Sequence, residues 1–374
     1  MIMKILFIAH EKDLNGASKS LLELIKCLQD NNEIYVLTQY SKGRFVNELD
    51  KLSVKKIVLP YYRWIERKNI RLRWILYKIK WMLYANSVNR RTSRIVSDIV
   101  LDEKIDVIHT NSSVIDIGVR VHKLNGCPHV MHLREFGDLD FNMIPFLPYN
   151  ELYDKMNEGT NRFICISKAI ENHYSNLYNK KVIYNGVSKD NINFVDKDFT
   201  GNINILIAGR ISKEKGQDIA IKALDYLFEN GNKSINLYLA GSGEIQIPNK
   251  LKNNVKLLGY VNDMPRLRKE MHIEIVSSKA EAFGRVTVEA MMGGLIVIGS
   301  NAGGTPELIS NGENGFLFKC EDFVDLANKI DYCLKNRDAL CNISENARKY
   351  AIDNFSIERC ASEITDLYKS LYLN

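Results

Sequence analysis

Two glutamates, Glu281 and Glu289, flank a small-residue turn in the stretch Ser277-Ser-Lys-Ala-Glu281-Ala-Phe283-Gly284-Arg285-Val286-Thr-Val-Glu289. The run before it, His272-Ile-Glu-Ile-Val276, reads as a buried strand, and the residues after Gly284 read as a helix. A strand, a turn and a helix N-terminus in that order make an anion site, because the first amides of a helix lack partners within it. Carboxylates beside such a site accept hydrogen bonds from hydroxyls. A nucleotide sugar offers both phosphates and hydroxyls. Upstream, Gly209-Arg210-Ile-Ser-Lys213-Glu-Lys215-Gly216 follows another apolar run. Arg210 and Lys215 there would neutralise a leaving diphosphate without a metal. Each feature also has a plainer reading. Strand–turn–helix units fill all α/β proteins, an early helical Glu offsets the dipole, and loop cations are often merely solvated.

The first half carries a second set. Pro128-His-Val-Met-His132-Leu-Arg134-Glu135 ends a strand with an imidazole, a guanidinium and a carboxylate together. At the C-terminal end of a parallel strand, such groups point into a ligand crevice. His132 is alternatively a structural imidazole bonded to backbone. Gly16, in Asn15-Gly16-Ala17-Ser18, lies at a strand-to-helix turn and lets backbone approach a phosphate or sugar, unless it is an ordinary turn glycine. The Gly-x-Gly-x-x-Gly fingerprint is absent, so no nicotinamide or flavin is expected. Asp138-Leu-Asp140 lacks a closely preceding strand and reads as structural.

Apolar runs near residues 4–9, 34–38, 56–59, 106–109, 129–133, 162–166 and 181–184 alternate with helical patterns. A second series begins at 203–208 and continues at 236–240, 255–259, 272–276 and 295–299. The alternation predicts an α/β chain with two doubly wound parallel sheets. Polar residues 188–202 read as a linker between a domain at 1–187 and another at 203–355.

The chain has 374 residues, enough for two cores, and an ordinary globular composition. Seven scattered cysteines form no Cys-x-x-Cys pair and no zinc pattern, which fits reduced thiols and a cytoplasmic setting. The apolar start is too short for a signal peptide, and no run is long enough to span a bilayer. Net charge is +6; residues 1–185 contribute +8 and the remainder −2. Ten of the cations lie in 61–94, against the single acid Glu66. At ~100° per residue, Leu72, Ile75, Leu76, Ile79 and Leu83 share one stripe that would pack on the sheet. Trp74, Tyr77, Trp81 and Tyr84 lie opposite, edged by Arg71, Lys78, Arg73 and Lys80. That aromatic, cationic face is expected to meet an anionic membrane surface, with burial or a partner protein as the alternatives. No motif context supports nucleic acid.

Taken together, Gly209-Arg210…Lys215-Gly216, Gly241-Ser-Gly-Glu244, Gly259-Tyr260-Val261, Glu281-x7-Glu289 and Gly303-Gly-Thr-Pro-Glu307 resemble the family 4 retaining glycosyltransferases of the GT-B fold. The likeness is dense over 203–320 and looser before it, where Asn15-Gly16-Ala17, His132 and Asn185-Gly-Val carry it. The resemblance implies two Rossmann-like domains facing across a cleft, with the helix 356–374 returning to the first. It implies that Arg210 and Lys215 hold the donor diphosphate and Glu281 the sugar hydroxyls. Phe283, Gly284, Arg285 and Val286 would meet sugar or phosphate, and Glu289 the ribose. Tyr260 and Val261 would border the base, Gly16 would underlie the phosphate or sugar, and His132 would stand near the anomeric carbon. Arg134 and Glu135 are expected on the acceptor side. The reaction implied is transfer of a sugar from a nucleotide diphosphate, UDP ahead of GDP, to a saccharide hydroxyl, with no metal or other cofactor. A lipid-linked acceptor, used in surface polysaccharide or glycolipid assembly by a cytoplasmic or peripheral enzyme, fits the basic first half. A nucleotide-sugar epimerase and a non-catalytic nucleotide-sugar-binding protein remain alternatives.

Overall fold

The computed structural model describes residues 2–67, 71–192 and 194–372, with the side chains of 71–74, 77 and 191 left out. The chain forms two compact units. One comprises Met1–Gly186 with Ile357–Asn374, and the other Val187–Ser356.

The first unit is built on a seven-stranded parallel sheet. Across it the strands run Lys55–Val58, Glu33–Thr38, Lys4–Ile8, Val107–Thr110, His129–Leu133, Arg162–Cys165 and Lys180–Val182. The central strand Lys4–Ile8 is apolar and buried from Ile5 onward because both faces are covered. The helix Ile357–Ser370 belongs to this unit and packs on the helix Gly16–Leu28. Its Ile357, Cys360, Ile364, Leu367 and Tyr368 join the same core as Phe7, Val36 and Leu21.

The second unit repeats the plan with six parallel strands, in the order Val255–Gly259, Ile235–Ala240, Ile203–Ala208, Ile273–Val276, Ile296–Ser300 and Phe316–Phe318. In each sheet one strand has a sequence-later neighbour on either side. In the first unit this is Lys4–Ile8, between Glu33–Thr38 and Val107–Thr110. In the second it is Ile203–Ala208, between Ile235–Ala240 and Ile273–Val276. Loops leave such a pair in opposite directions, so a crevice opens at the strands' carboxyl ends.

The basic segment corrects one expectation. Helix Arg71–Lys80 runs through a π turn, Trp81–Ala85, into helix Asn86–Asp102. Trp81, expected on a membrane-facing surface, is 5% exposed and stacks on Phe146 with ring centroids 5.4 Å apart. Of the stripe expected to pack inward, Ile75, Leu76, Ile79 and Leu83 are exposed, Leu83 at 77%, and the Leu72 side chain lies outside the described residues; Met82 is exposed beside them. Lys78 and Lys80 are exposed beside them. The side chains of Arg71, Arg73 and Trp74 lie outside the described residues. A large flat ring gains more from burial than a methyl-bearing chain, and Phe146 offers it a stacking partner.

Candidate active site

In the second unit a pocket lies at the strand-reversal point. Ile207 and Ala208 end one of the two central strands, and Ile275 and Val276 end the other. Lys215, Gln217, Ser277, Ser278, Glu281 and Val286 complete its wall. Lys215 Nζ lies 2.7 Å from Glu281 Oε2, so a cation and an acid meet inside the pocket.

The local chain is constrained to bring them together. Gly216 has φ +68°, and a Cβ there would stand 2.3 Å from Ser277 O. Only glycine allows the Lys215 loop to lie this close to the next strand end. Ser277 Oγ donates to Lys215 O at 2.8 Å, and Lys279 N donates to Glu214 O at 2.9 Å. Gln217 accepts from Ser212 N and donates to Arg210 O, closing the loop from within. On the other side, Gly304 N donates to Glu281 O at 2.7 Å. Gly303, at φ +59°, leaves room for that carbonyl, which a Cβ would meet at 2.4 Å.

Glu289 sits on the helix Arg285–Met292, capped by Gly284. Its Oε2 accepts from Arg268 Nη1 at 2.9 Å and its Oε1 from Arg285 Nη2 at 3.3 Å. Arg268 also forks onto Glu274 at 2.8 and 3.1 Å. All three members of this Arg268 cluster are buried. Burial disfavours the Arg268 charge, but the two carboxylates hold it protonated beyond its usual range. Burial raises the Glu274 carboxyl, with Arg268 opposing.

In the first unit, polar side chains cluster at the carboxyl edge of the sheet. His132 closes toward His109 and Arg134. Its Nδ1 lies 3.1 Å from His109 Nε2 and 3.2 Å from Arg134 Nη2. Arg134 also donates to Asn111 Oδ1 and Asn185 Oδ1, each at 2.7 Å. Three buried polar atoms here have no hydrogen-bond partner among the described residues: His10 Nδ1, Glu11 Oε2 and His132 Nε2. Buried polar atoms are rarely left so unless something else meets them. Burial, then Arg63 and Arg134, lower the His10 imidazole to about 3. Glu135 is buried and accepts from the Ser112 hydroxyl, while burial lifts its carboxyl to about 7.

A model of the glycosyl transferases group 1 family matches residues 188–350, and one of glycosyltransferase family 4 matches residues 14–191. The chain belongs to the family 4 glycosyltransferases. Its fold is GT-B. Anabaena HepE, in complex with UDP and glucose, aligns with a TM-score of 0.75 at 23% identity, over 98% of this chain and 100% of that one. A Rickettsia africae glycosyltransferase aligns with a TM-score of 0.80 at 21% identity, over 100% and 99%. The Escherichia coli UDP-Gal:alpha-D-GlcNAc-diphosphoundecaprenol alpha-1,3-galactosyltransferase is 27% identical over 303 residues, 73% of this chain and 77% of its own.

Within this family 4 chain the structure gathers Lys215, Glu281 and Val286 in one pocket. Phe283 is buried below the turn, in edge contact with Phe355. Arg210 is exposed at the carboxyl end of its strand and is felt electrostatically by Glu214. Tyr260 is exposed just past the strand Val255–Gly259, with Val261 half-buried beside it. A Cβ on Gly16 would meet nothing within 4 Å, so the protein's own packing does not demand glycine there. Arg134 and Glu135 are buried, and the Arg134 guanidinium organises Asn111, Asn185 and His132 around it. Asp140 caps the amides of Phe136 and Gly137 at 3.0 and 2.8 Å. Sequence reasoning missed Arg268, Glu274, Gln217, His10, Glu11, His109, Asn111 and Tyr368. Glu274 alone left a trace, as an acid inside an otherwise apolar strand.

Proposed function

We propose that this chain transfers a hexose from a UDP-sugar to a hydroxyl of a lipid-linked saccharide, with retention at the anomeric carbon. The Lys215–Glu281 pair at the strand-reversal pocket carries the reading. A ligand bearing a diphosphate and sugar hydroxyls exchanges this internal ion pair for two external ones: the ammonium takes phosphate and the carboxylate takes hydroxyls. Arg210, exposed at the same strand end, adds a second cation for the leaving group. Glu289, held by Arg268 and Arg285, keeps a fixed acceptor for the ribose.

In the step itself the bond from the anomeric carbon to the diphosphate oxygen breaks. The bond to the acceptor oxygen forms on the same face, and the acceptor proton passes to the departing diphosphate. Lys215 and Arg210 stabilise the charge that builds there. The UDP preference draws on HepE, crystallised with UDP and glucose, and the acceptor class on the diphosphoundecaprenol relative. The acceptor reading also rests on the exposed apolar stripe Ile75, Leu76, Ile79, Met82 and Leu83 with Lys78 and Lys80 beside it, a combination suited to an anionic lipid surface.

The test has two arms. Thermal shifts with UDP-, GDP- and ADP-sugars should show stabilisation by UDP-sugars first. Lys215→Ala and Glu281→Ala should each lower transfer about a hundredfold or more. Full transfer by either variant, or equal shifts with all three nucleotides, would overturn the assignment.

A further inference from the structure

The hydrogen bonds behind His132 determine where its proton sits. Arg134 Nη2 lies 3.2 Å from His132 Nδ1. A guanidinium has no acceptor, so Nδ1 holds a lone pair. His109 Nε2 lies 3.1 Å from the same Nδ1 and must therefore donate. His109 Nδ1 is then bare and accepts the Tyr368 hydroxyl hydrogen. All of these side chains are buried. Burial first, and Arg134 second, push both imidazoles well below their ordinary range, so both are neutral. A neutral imidazole with a bare Nδ1 carries its hydrogen on Nε2. His132 Nε2 is buried with no hydrogen-bond partner among the described residues. A buried N–H left without an acceptor is disfavoured, so this one calls for a ligand oxygen.

We propose that Tyr368, His109 and Arg134 are positioning residues that hold His132 as its Nε2–H tautomer, making it a fixed hydrogen-bond donor to a sugar or phosphate oxygen. This rests on the glycosyl-transfer reading above and sharpens it: His132 offers no lone pair to the ligand and is not the base that takes the acceptor proton. Tyr368 contributes although it lies 259 residues from His109, on the helix Ile357–Ser370.

The experiment uses the full chain labelled with 15N-histidine. Long-range proton–nitrogen spectra, with His132 assigned by His132→Gln, should show Nε2 protonated and Nδ1 bare from about pH 5 to pH 8. Tyr368→Phe keeps the ring and removes only the hydroxyl. It should give mixed tautomers at His109 and His132 and lower kcat/KM for the donor about tenfold. His132→Gln retains a donor and should stay within about tenfold of the parent, whereas His132→Ala should fall about a hundredfold. A hydrogen on His132 Nδ1, an imidazolium in that pH range, unchanged tautomers in Tyr368→Phe, or Gln no better than Ala would each overturn the proposal. A purely structural role for Tyr368 would lower the thermal midpoint and leave the tautomers of the folded protein unaltered. The spectra need no substrate, so a parent without transfer activity would count against the proposed function and leave the proton arrangement to be decided separately.

Discussion

Arg268→Met removes the cation from between two buried carboxylates. Glu274 is 0% exposed, and both of its oxygens accept from Arg268. Removing one partner of a buried pair costs about 3–5 kcal/mol, because the remaining charge has lost water and gained nothing in return. Protonation sets a ceiling on that loss. Burial already raises the Glu274 carboxyl against the opposing pull of Arg268, so without Arg268 it rises further. Between the unfolded carboxyl value of about 4.3 and the raised folded one, the folded variant binds more protons than the unfolded chain. Its stability therefore increases as pH falls. The deficit should be largest at the alkaline end and shrink by about 1.4 kcal/mol per pH unit on descending from the variant's folded value to the parent's own raised one, below which it levels off. Urea unfolding of parent and variant, in steps from about pH 8 to pH 5, measures it. Arg268→Met combined with Glu274→Leu removes both charges and should recover most of the loss, since apolar replacement of a buried pair is often neutral or better. A deficit below about 1 kcal/mol, or one that is flat in pH with no recovery in the double variant, would refute the reasoning.

The first unit has its own pH signature. Burial lifts the Glu135 carboxyl to about 7, so its contribution is fully present below the unfolded value and lost as pH rises through about 7. Glu135→Gln should remove that slope and stabilise the protein at pH 8 by up to about 3 kcal/mol relative to the parent, read by urea unfolding at pH 5 and pH 8. At the exposed stripe, Ile79→Ser with Leu83→Ser should weaken flotation with phosphatidylglycerol vesicles about tenfold. Parent binding should fall with added salt. Equal flotation of parent and variant would remove the lipid contact.

The meeting of Lys215 and Glu281 was largely legible because both follow strand ends in the linear sequence. Lys215 lies in the loop that follows an apolar run, and Glu281 and Glu289 bracket a glycine that opens a helix. Parallel α/β topology carries all such loops to one edge, so their proximity needed no knowledge of packing. Arg268 and Glu274 were not legible in the same way. Their pairing joins the helix Met264–Lys269 to the interior of a strand, and no spacing rule predicts which cation enters a core. The same limit applies to the first unit. His132 was visible at a strand end, but the hydrogen bonds that set its proton come from a neighbouring strand and from a helix near the other end of the chain.

The basic helix shows why periodicity alone could mislead. An angular plot sorts side chains into faces but carries no information on which face meets the protein. Two stripes were on offer, one aliphatic and one aromatic, and either was apolar enough to be buried. The structure selects Trp81, which has Phe146 to stack on, and leaves Ile79 and Leu83 in solvent. The π turn at Trp81–Ala85 adds a residue to the helical repeat, so the stripe before it and the stripe after it cannot face the same direction. An amphipathic segment with two apolar faces has one to spend on folding and one left over. The leftover face here is aliphatic and flanked by lysines, so a lipid contact is better tested at Ile79 and Leu83 than at the tryptophan the sequence favoured.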